Sequence, residues 1–149
     1  MTTNWKLSAF DALTAAELYQ LLRLRSEVFV VEQQCIFLDM DNKDQESIHL
    51  LGWQGNLLAA STRLVPPGIS YPEMSIGRVV SAPQVRGTGI GRQLMEQSIQ
   101  ACYRLWGKAP IRIGAQRYLE NFYRSLGFEV QGDTYMEDGI PHVEMLKTP

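Results

Sequence analysis

Three alternating glycines between a strand-like segment and a helix-like segment constrain this chain more than any other feature. They lie in Arg86-Gly87-Thr88-Gly89-Ile90-Gly91-Arg92, which we call the glycine loop. The apolar stretch Met74–Val80 precedes the loop, and Gln93–Cys102, rich in helix formers, follows it. A strand–turn–helix unit of this kind aims unpaired N–H groups and the positive end of the helix dipole at an anion. Because glycine has no Cβ, a phosphate can approach such a loop closely.

The glycine spacing excludes two familiar phosphate loops. A Walker A loop requires GxxxxGK followed by Ser or Thr, and no Lys-Ser/Thr pair follows Gly87 at that distance. The dinucleotide fingerprint requires GxGxxG and an acidic residue about 20 residues further on. Here the glycines alternate strictly, and Glu96 and Glu120 are poorly placed for that role.

What fits is Arg-x-x-Gly-x-Gly, with Pro83 three residues before the arginine. In this motif the chain resembles the GNAT acetyltransferases, whose pyrophosphate-binding loop has the same pattern. The block Asn121–Phe128 resembles the family's second signature, Tyr-x-x-x-Gly-Phe. Further segments are similar to the ElaA-type branch of bacterial GNAT proteins: 25–33 (RSEVFVVEQ), 49–53 (HLLGW) and 138–142 (DGIPH).

Periodicity and turn residues predict the element order β-α-β-β-β-α-β-α-β-β. The fold class is therefore α/β (α+β), one domain over residues 1–149, with a mixed, mainly antiparallel sheet flanked by helices. This order matches the GNAT order. In the first half of the chain, the supporting signals are a strand at Trp5–Phe10, a Thr14…Glu17 capping box and a hairpin turn at 54–56. In the second half they are a strand at 111–114, a helix over Tyr118–Leu126 that ends at Gly127, and a hairpin turn at 137–139.

Composition narrows the class of protein. The chain has 149 residues, 45% hydrophobic and 20% charged, with a formal net charge of −2, which is ordinary for a soluble domain. Without a Lys/Arg cluster it has no surface typical of nucleic-acid or anionic-membrane binding. No apolar run approaches a membrane span, and the N-terminus lacks the pattern of a signal peptide. We predict a cytoplasmic protein that binds no nucleic acid and no membrane.

Cysteine and histidine usage predicts neither a disulfide framework nor a metal site. Two cysteines are too few for a framework, and no cluster has metal-ligand spacing. Cys102 falls on the apolar face of the helix after the glycine loop and is predicted to be a core residue. Cys35 lies in a less regular segment, where exposure is one alternative. The polar, acidic stretch Gln33–Ser47 is predicted to be an exposed, substrate-facing loop.

The resemblance implies that acetyl-CoA is the co-substrate. Its pyrophosphate would bind the backbone of the glycine loop, with Arg86 and Arg92 either adding charge or remaining solvated. Backbone groups of the preceding strand would pair with the pantetheine and the thioester carbonyl. Gln116 stands where many relatives carry a CoA-contacting Asn, and Asn121 is an alternative. The implied cofactor-binding residues are Val79, Val80, Ser81, Arg86, Gly87, Thr88, Gly89, Ile90, Gly91, Arg92, Gln116 and Asn121.

Tyr123 is predicted to be the general acid, because its spacing to Gly127-Phe128 matches the family. A phenol is protonated at neutral pH and can give its proton to the departing thiolate. The alternative is a ring that only packs against the core. Four residues are open as the general base, each with a purely structural alternative: Glu32, Glu73, His49 and His142.

These features predict an acetyl-CoA-dependent N-acetyltransferase that transfers the acetyl group directly to a primary amine, in a ternary complex. The acceptor would be a small molecule or a peptide, and a homodimer is one possible assembly. A non-catalytic acyl-CoA-binding or sensor module is the alternative from another class. An acyl-homoserine-lactone synthase, suggested by residues 28–33, ranks below both because the chain is short for that family and lacks its other signatures.

Overall fold

The order of strands and helices confirms the sequence prediction. The structure is a computed structural model that describes residues 2–149. The predicted domain of residues 1–149 starts at Met1, which lies outside the described residues. The elements are β1 (Asn4–Ala9), α1 (Ala15–Arg25), β2 (Ile48–Gln54), β3 (Leu57–Val65), β4 (Ser75–Ser81), α2 (Ile90–Trp106), β5 (Ile111–Gln116), α3 (Glu120–Arg124), β6 (Phe128–Glu137) and β7 (Ile140–Lys147).

The strands form two antiparallel sheets, one with the order β1-β2-β3-β4 and one with the order β5-β7-β6. The predicted hairpin turns join β2 to β3 and β6 to β7. A parallel bridge between Met74 and Ile111 connects the sheets, and there the Arg112 N–H donates to the Met74 C=O at 3.0 Å. Beyond this contact the described residues show no ladder between β4 and β5. Each of these strands is therefore the edge of its own sheet, with a gap between them.

Helix α1 begins with the predicted capping box. The Glu17 N–H donates to the Thr14 Oγ1 at 3.1 Å, and the Thr14 N–H donates to the Glu17 Oε1 at 2.9 Å. These two bonds satisfy backbone donors that have no partner within the helix. The helix then continues as a π-helical segment over Ser26–Glu32, whose wider turns differ from the α-helical spacing read from the sequence.

Helix α2 packs across both sheets. Ile90 and Leu94 belong to the apolar cluster against the first sheet, whereas Met95 and Ile99 belong to the cluster against the second. Cys102 is fully buried on the same face, which confirms the predicted core position. The helix thus holds the two sheets together on one side of the gap between β4 and β5.

Helix α3 is shorter than predicted. A 3₁₀ turn occupies Arg117–Leu119, and the α-helix proper covers only Glu120–Arg124. Gly127 has a φ of +97°, a left-handed conformation that glycine adopts readily at a helix C-terminus. The turn that the sequence predicts is therefore present, and only the helical length differs.

The acidic stretch at 33–47 is a loop, as its composition predicts, and every second residue from Gln34 to Asn42 is exposed, but two of its carboxylates are buried. Asp39 and Asp44 are only 4% and 7% exposed, and each contacts a buried guanidinium. Six side chains alternate in charge and close a cycle of ion pairs, which we call the Arg–Asp ring: Arg25, Asp39, Arg78, Asp41, Arg63 and Asp44. The burial of these carboxylates was not predicted because the arginines come from distant parts of the chain, so a local reading does not show the partners.

Each side of the Arg–Asp ring has hydrogen-bonding geometry. Arg25 donates to Asp39 and to Asp44 at 2.8 Å each. Arg63 donates to both oxygens of Asp41, at 2.7 and 2.8 Å. Burial by itself would raise the pKa of Asp44, but the hydrogen bonds and charges of Arg25 and Arg63 outweigh it and hold that pKa below its usual range.

The ring also fixes an irregularity in β4. Ser61 pairs with Val80 whereas Arg63 pairs with Gly77, so β4 carries an extra residue and bulges. Arg78, within the bulge, has a φ of +48°, which costs an L-residue about 1–2 kcal/mol. Its guanidinium offsets this cost by donating to Asp39 Oδ1 at 2.7 Å and to the Asp39 C=O at 2.8 Å. The strand that lines the gap is thus anchored by the ring.

Replacing Asp44 by Asn is expected to destabilise the fold by about 3–5 kcal/mol, because it leaves two buried guanidinium groups without their shared anion. Chemical unfolding at pH 7 measures this loss. Asp133→Asn, a change of the same size at an exposed position of β6, should stay within about 0.5 kcal/mol of the parent. A loss below about 1 kcal/mol for Asp44→Asn would show that the Arg–Asp ring contributes little to stability.

Candidate active site

The gap between β4 and β5 opens into a cavity of about 500 Å³. Residues 76–81 form one wall and residues 113–116 the other. Four further segments complete it: the π-helical end of α1 with the chain that follows, the glycine loop with the start of α2, the region of α3, and the turn of the β6–β7 hairpin. The cavity therefore exists because two sheets diverge after a single bridge, and not because of any one loop.

The glycine loop lies at one end of this cavity. Gly87 and Gly89 have φ values of +80° and +84°, and Gly89 is the N-cap of α2. The Gln93 N–H donates to the Gly89 C=O at 3.3 Å. The helical N–H groups before Gln93 have no carbonyl of the helix to bond, as at any helix start. This is the arrangement that the sequence predicts for an anion site.

Space around the glycines is open. A Cβ added to Gly87, Gly89 or Gly91 would meet no atom of residues 2–149 within 4 Å, apart from those of its own turn and neighbours. Gly91 differs from the other two because its backbone is helical and needs no glycine for its φ. Thr88 stabilises the loop internally by donating its hydroxyl to the Val85 C=O.

The two arginines of the loop have different surroundings. Arg86 lines the cavity and donates to both carboxylate oxygens of Glu32, at 2.7 and 2.6 Å. These hydrogen bonds lower the pKa of Glu32 and raise that of Arg86. Arg92 lies outside the cavity lining, where it donates to the Ser125 hydroxyl at 3.0 Å and pairs with Glu96 at 3.2 Å.

Backbone groups of β4 face the gap. The Ala82 N–H, just after the strand, donates to the Ala59 C=O of the neighbouring chain segment at 2.7 Å. Because successive residues of a strand turn their N–H and C=O groups to opposite sides, those of Ser81 point away from β3, toward β5. Val79, Val80 and Ser81 all line the cavity. Their position agrees with the role that the resemblance implies for them, in which the main chain makes the contacts.

Tyr123 is buried in the cavity wall. Its side chain is 4% exposed, and its ring packs edge-on against Phe122 and Phe128 with centroid distances of 5.2 and 6.0 Å. Burial raises the pKa of the Tyr123 phenol well above its usual value, so the hydroxyl is fully protonated at neutral pH. The two alternatives drawn from the sequence, a packed ring and a proton donor, are thus compatible in one residue.

The two amide side chains predicted near the cofactor differ in place. Gln116 lines the cavity, and its amide exchanges a pair of 3.4 Å hydrogen bonds with that of Gln33. Asn121 lies on the exposed side of α3 and is not among the residues that line the cavity. The structure thus brings Gln116 to the site and leaves Asn121 outside it.

Two of the four candidate bases lie away from the cavity. His49 is 1% exposed and donates through Nε2 to the Asp44 C=O at 2.9 Å, behind the Arg–Asp ring. Burial lowers the pKa of His49, which keeps its imidazole neutral. Glu73 accepts two 3.0 Å hydrogen bonds from Arg112 on the surface. Glu32 and His142 line the cavity, and of these Glu32 is held by Arg86.

Both cysteines are buried. Cys35 is only 8% exposed, so exposure, the alternative left open for it, does not hold. Its thiol donates to the Asp138 C=O at 3.0 Å, a contact between residues 103 positions apart that no local pattern reveals. Burial raises the pKa of Cys102 to about 12, which leaves it as an unreactive thiol.

Several cavity residues were missed by sequence reasoning. Phe29 and Phe37 line it from the segments after α1, and Glu137 lines it from the β6–β7 hairpin. The turn residues after Glu137 did predict the hairpin, but no local signal shows that it folds back over the gap. Among residues 2–149 no cluster of metal-ligating side chains occurs, and no helix is long and apolar enough to cross a membrane.

Comparison with known proteins agrees with this geometry. A family model described as "Acetyltransferase (GNAT) domain" matches residues 26–149. The crystal structure of an acyl-CoA N-acyltransferase from Pseudomonas aeruginosa has 41% identity and a TM-score of 0.94, covering 99% of this chain and 100% of that one. The protein ElaA of Escherichia coli (strain K12) is 39% identical over 146 residues, 97% of this chain and 95% of ElaA.

Structural comparison extends the match. The crystal structure of Escherichia coli ElaA has a TM-score of 0.92 at 37% identity, covering 98% of this chain and 99% of that one. A Bacillus subtilis acetyltransferase solved in complex with CoA shares the fold, with a TM-score of 0.67 at 21% identity over 99% of each chain. Acetyl-CoA is the co-substrate that is consistent with these findings. The chain belongs to the GNAT acetyltransferase family and is similar to ElaA.

Proposed function

We propose that this protein is an N-acetyltransferase that moves the acetyl group of acetyl-CoA directly to a primary amine. The observation that carries the proposal is the shared cavity. One continuous space joins an open glycine loop at a helix N-terminus, the unpaired edge of β4 and a buried, protonated tyrosine. Thioester aminolysis requires an anchored donor, a polarised carbonyl and a proton for the thiolate, and these features match the three needs in turn.

The glycine loop supplies the anchor. Its N–H groups and the dipole of α2 stabilise the pyrophosphate, whose oxygens approach because the glycines leave the space open. Arg86 adds charge at the same end of the cavity once the phosphate competes with Glu32 for its guanidinium. Arg92 is held on the surface by Ser125 and Glu96, and therefore stabilises the loop–α3 contact more than the ligand.

The edge of β4 supplies the polarisation. The pantetheine arm lies in the gap lined by Val79, Val80 and Ser81 and pairs with those backbone groups of β4 that point away from β3, such as those of Ser81, as an added strand would. A backbone N–H of this edge aimed at the thioester oxygen stabilises the oxyanion that develops there. One such donor contributes about 3 kcal/mol to lowering the barrier. Gln116 adds an amide on the opposite wall.

Tyr123 supplies the proton. The acceptor nitrogen attacks the carbonyl carbon, the C–S bond breaks, and the thiolate takes the phenolic proton of Tyr123. No acyl-enzyme is required, since Cys102 is buried with a high thiol pKa and the Cys35 thiol is engaged with the Asp138 carbonyl. A proton donor in the wall also favours catalysis over a sensor module, which has no use for one.

Incubation with acetyl-CoA and a panel of primary amines tests the function itself. We expect CoA release, measured with a thiol reagent, together with an acetylated amine, and an unmodified protein in the intact mass spectrum. Stoichiometric binding of acetyl-CoA without CoA release for any amine would indicate the sensor module. An acetyl-cysteine that forms and decays at the rate of turnover would contradict direct transfer.

Gly91→Val is expected to weaken acetyl-CoA binding at least about tenfold, or about 1.4 kcal/mol, because its side chain fills the open space in front of the loop. Gly91 is the sharpest probe since its helical φ tolerates a side chain, whereas Gly89 at +84° would be strained by any replacement. The matched control is Gln97→Val, an exposed position of α2. Equal affinities for the two folded variants would remove the glycine loop from the binding site.

Tyr123→Phe is expected to lower turnover about 10²–10⁴-fold while acetyl-CoA affinity stays near that of the parent. The change removes only the phenolic hydroxyl and keeps the packed ring. Tyr118→Phe is the matched control, because Tyr118 also lines the cavity but is 73% exposed. Single-turnover rates measure the chemical step. If Tyr118→Phe loses the activity and Tyr123→Phe keeps it, Tyr123 is not the acid.

A further inference from the structure

The part of the cavity that the β6–β7 turn lines has contacts of its own. The Cys35 thiol donates to the Asp138 C=O, which fastens the chain after α1 to the turn of the β6–β7 hairpin. Phe37, Glu137 and His142 line the space beside this fastening. We call it the hairpin end. It is remote in sequence from the glycine loop and is left for the second substrate when acetyl-CoA occupies the gap.

His142 presents one ring nitrogen without a protein donor to match it. A carbonyl oxygen can only accept, so the 2.7 Å contact between Nδ1 and the Ile140 C=O makes Nδ1 the protonated nitrogen. In the neutral ring Nε2 therefore carries a lone pair. That lone pair lies 3.5 Å from Glu137 Oε2, so two acceptors face each other. The side chain of His142 is only about a tenth exposed, at 9%.

A cationic donor placed between His142 Nε2 and Glu137 Oε2 would give both acceptors a hydrogen bond. An ammonium group donates from one N–H to Nε2 of His142 and from another to the carboxylate of Glu137. The cationic side chains that line the cavity within residues 2–149 are Arg78 and Arg86. Arg78 is held by Asp39 in the Arg–Asp ring, and Arg86 is held by Glu32 at the other end. Among the residues that line the cavity, the hairpin end therefore offers acceptors to a ligand and no uncommitted cation, and Arg117 lies beside Ile140 and Pro141 outside this lining.

Resting on the proposed function, we propose that the hairpin end binds the acceptor as a primary ammonium and that His142 is its general base. The acceptor class is an aliphatic amine that has no carboxylate near the reacting nitrogen. A carboxylate there would face Glu137, and no free cation of the cavity lining would pair with it. Glu137 binds the ammonium and then stabilises the imidazolium that forms.

The proton balance closes with the groups present. His142 Nε2 takes one of the three ammonium protons, which frees the nitrogen lone pair to form the C–N bond. As the C–S bond breaks, its electron pair goes to sulfur, and Tyr123 protonates the thiolate. A second ammonium proton restores the Tyr123 phenol, and the third stays on the amide nitrogen. The proton on His142 passes to water, so each turnover yields an acetamide, CoA thiol and one proton.

Several elements bring polar or titratable groups close to His142. Tyr135 of β6 stacks on the imidazole at 5.8 Å, and Gln116 of β5 is its uncharged ladder partner. Glu137 is the nearest carboxylate. Asp138 follows it in the turn, and Arg78 lines the facing wall. Arg117, in the turn after β5, lies beside Ile140 and Pro141 but outside the cavity lining. Within the lining, the acidic side chains next to the imidazole are Glu137 and Asp138, and a carboxylate favours a cationic ligand.

Kinetics with matched acceptors tests the proposal. We expect kcat/KM for 1,4-diaminobutane to exceed kcat/KM for 4-aminobutyrate, which has a similar length, by at least about tenfold. Glu137→Gln should reduce this ratio, whereas Glu129→Gln, at an exposed position of β6, should leave it unchanged.

His142→Gln should lower kcat with diaminobutane about 10²-fold at pH 7. The defect should shrink as the pH rises toward the alkylammonium pKa of about 10, because a growing fraction of the amine is then already neutral. It should also shrink with an arylamine that is neutral at pH 7, because that acceptor needs no base. A pH-independent defect, or equal use of the two acceptors, overturns the proposal.

Imidazole NMR separates this proposal from the proposed function. The chain has two histidines, and His49 is buried away from the cavity. With CoA present, 1,4-diaminobutane should shift the His142 ring signals and leave those of His49 unchanged, and Glu137→Gln should weaken the shift. If this binding occurs without any acetyl transfer, the function fails and the amine site stands. Transfer to amines without any perturbation of His142 would place the acceptor elsewhere and overturn the site.

Discussion

Three arginines and three aspartates alternate around the Arg–Asp ring, and most of what surrounds the cavity depends on it. Arg25 comes from α1, Arg63 from β3 and Arg78 from β4, while the carboxylates come from one irregular segment. Burying a charge costs several kcal/mol unless it is paired with good geometry, and here each charge has two partners. The segment at 33–47 therefore has a fixed course without helix or sheet over most of its length.

The position of the Arg–Asp ring explains how a strained strand is tolerated next to the candidate active site. Arg78 adopts a positive φ in the bulge of β4, and its guanidinium is held by Asp39. The bulge changes the twist of β4 where it leaves Met74 and the second sheet. Divergence of the strands then leaves unpaired backbone edges, which proteins ordinarily cover. In this family member the proposed covering is the arm of acetyl-CoA.

The cavity is held open and closed off by different interactions. Helix α2 packs under both sheets and sets their separation, whereas hydrogen bonds of Gln33 and Cys35 tie the segment after α1 to the second sheet. At the glycine loop, Glu32 occupies Arg86 and so stands where a phosphate would compete. The hairpin end has the opposite character, with Glu137 left to a cation. The two regions thus differ in the charges they offer, which matches the proposed binding of an anionic donor and an ammonium acceptor.

Local sequence determined the element order, the capping box, both hairpin turns and the glycine loop, because each depends on residues within one or two turns of one another. It also determined that Tyr123 follows the loop at the family spacing, although its role remains a prediction. Only the tertiary structure decided the burial of Asp44 and Cys35, the removal of His49 from the site and the approach of His142 to it. Those outcomes depend on partners far away along the chain, whose pairing follows from how the two sheets pack and diverge.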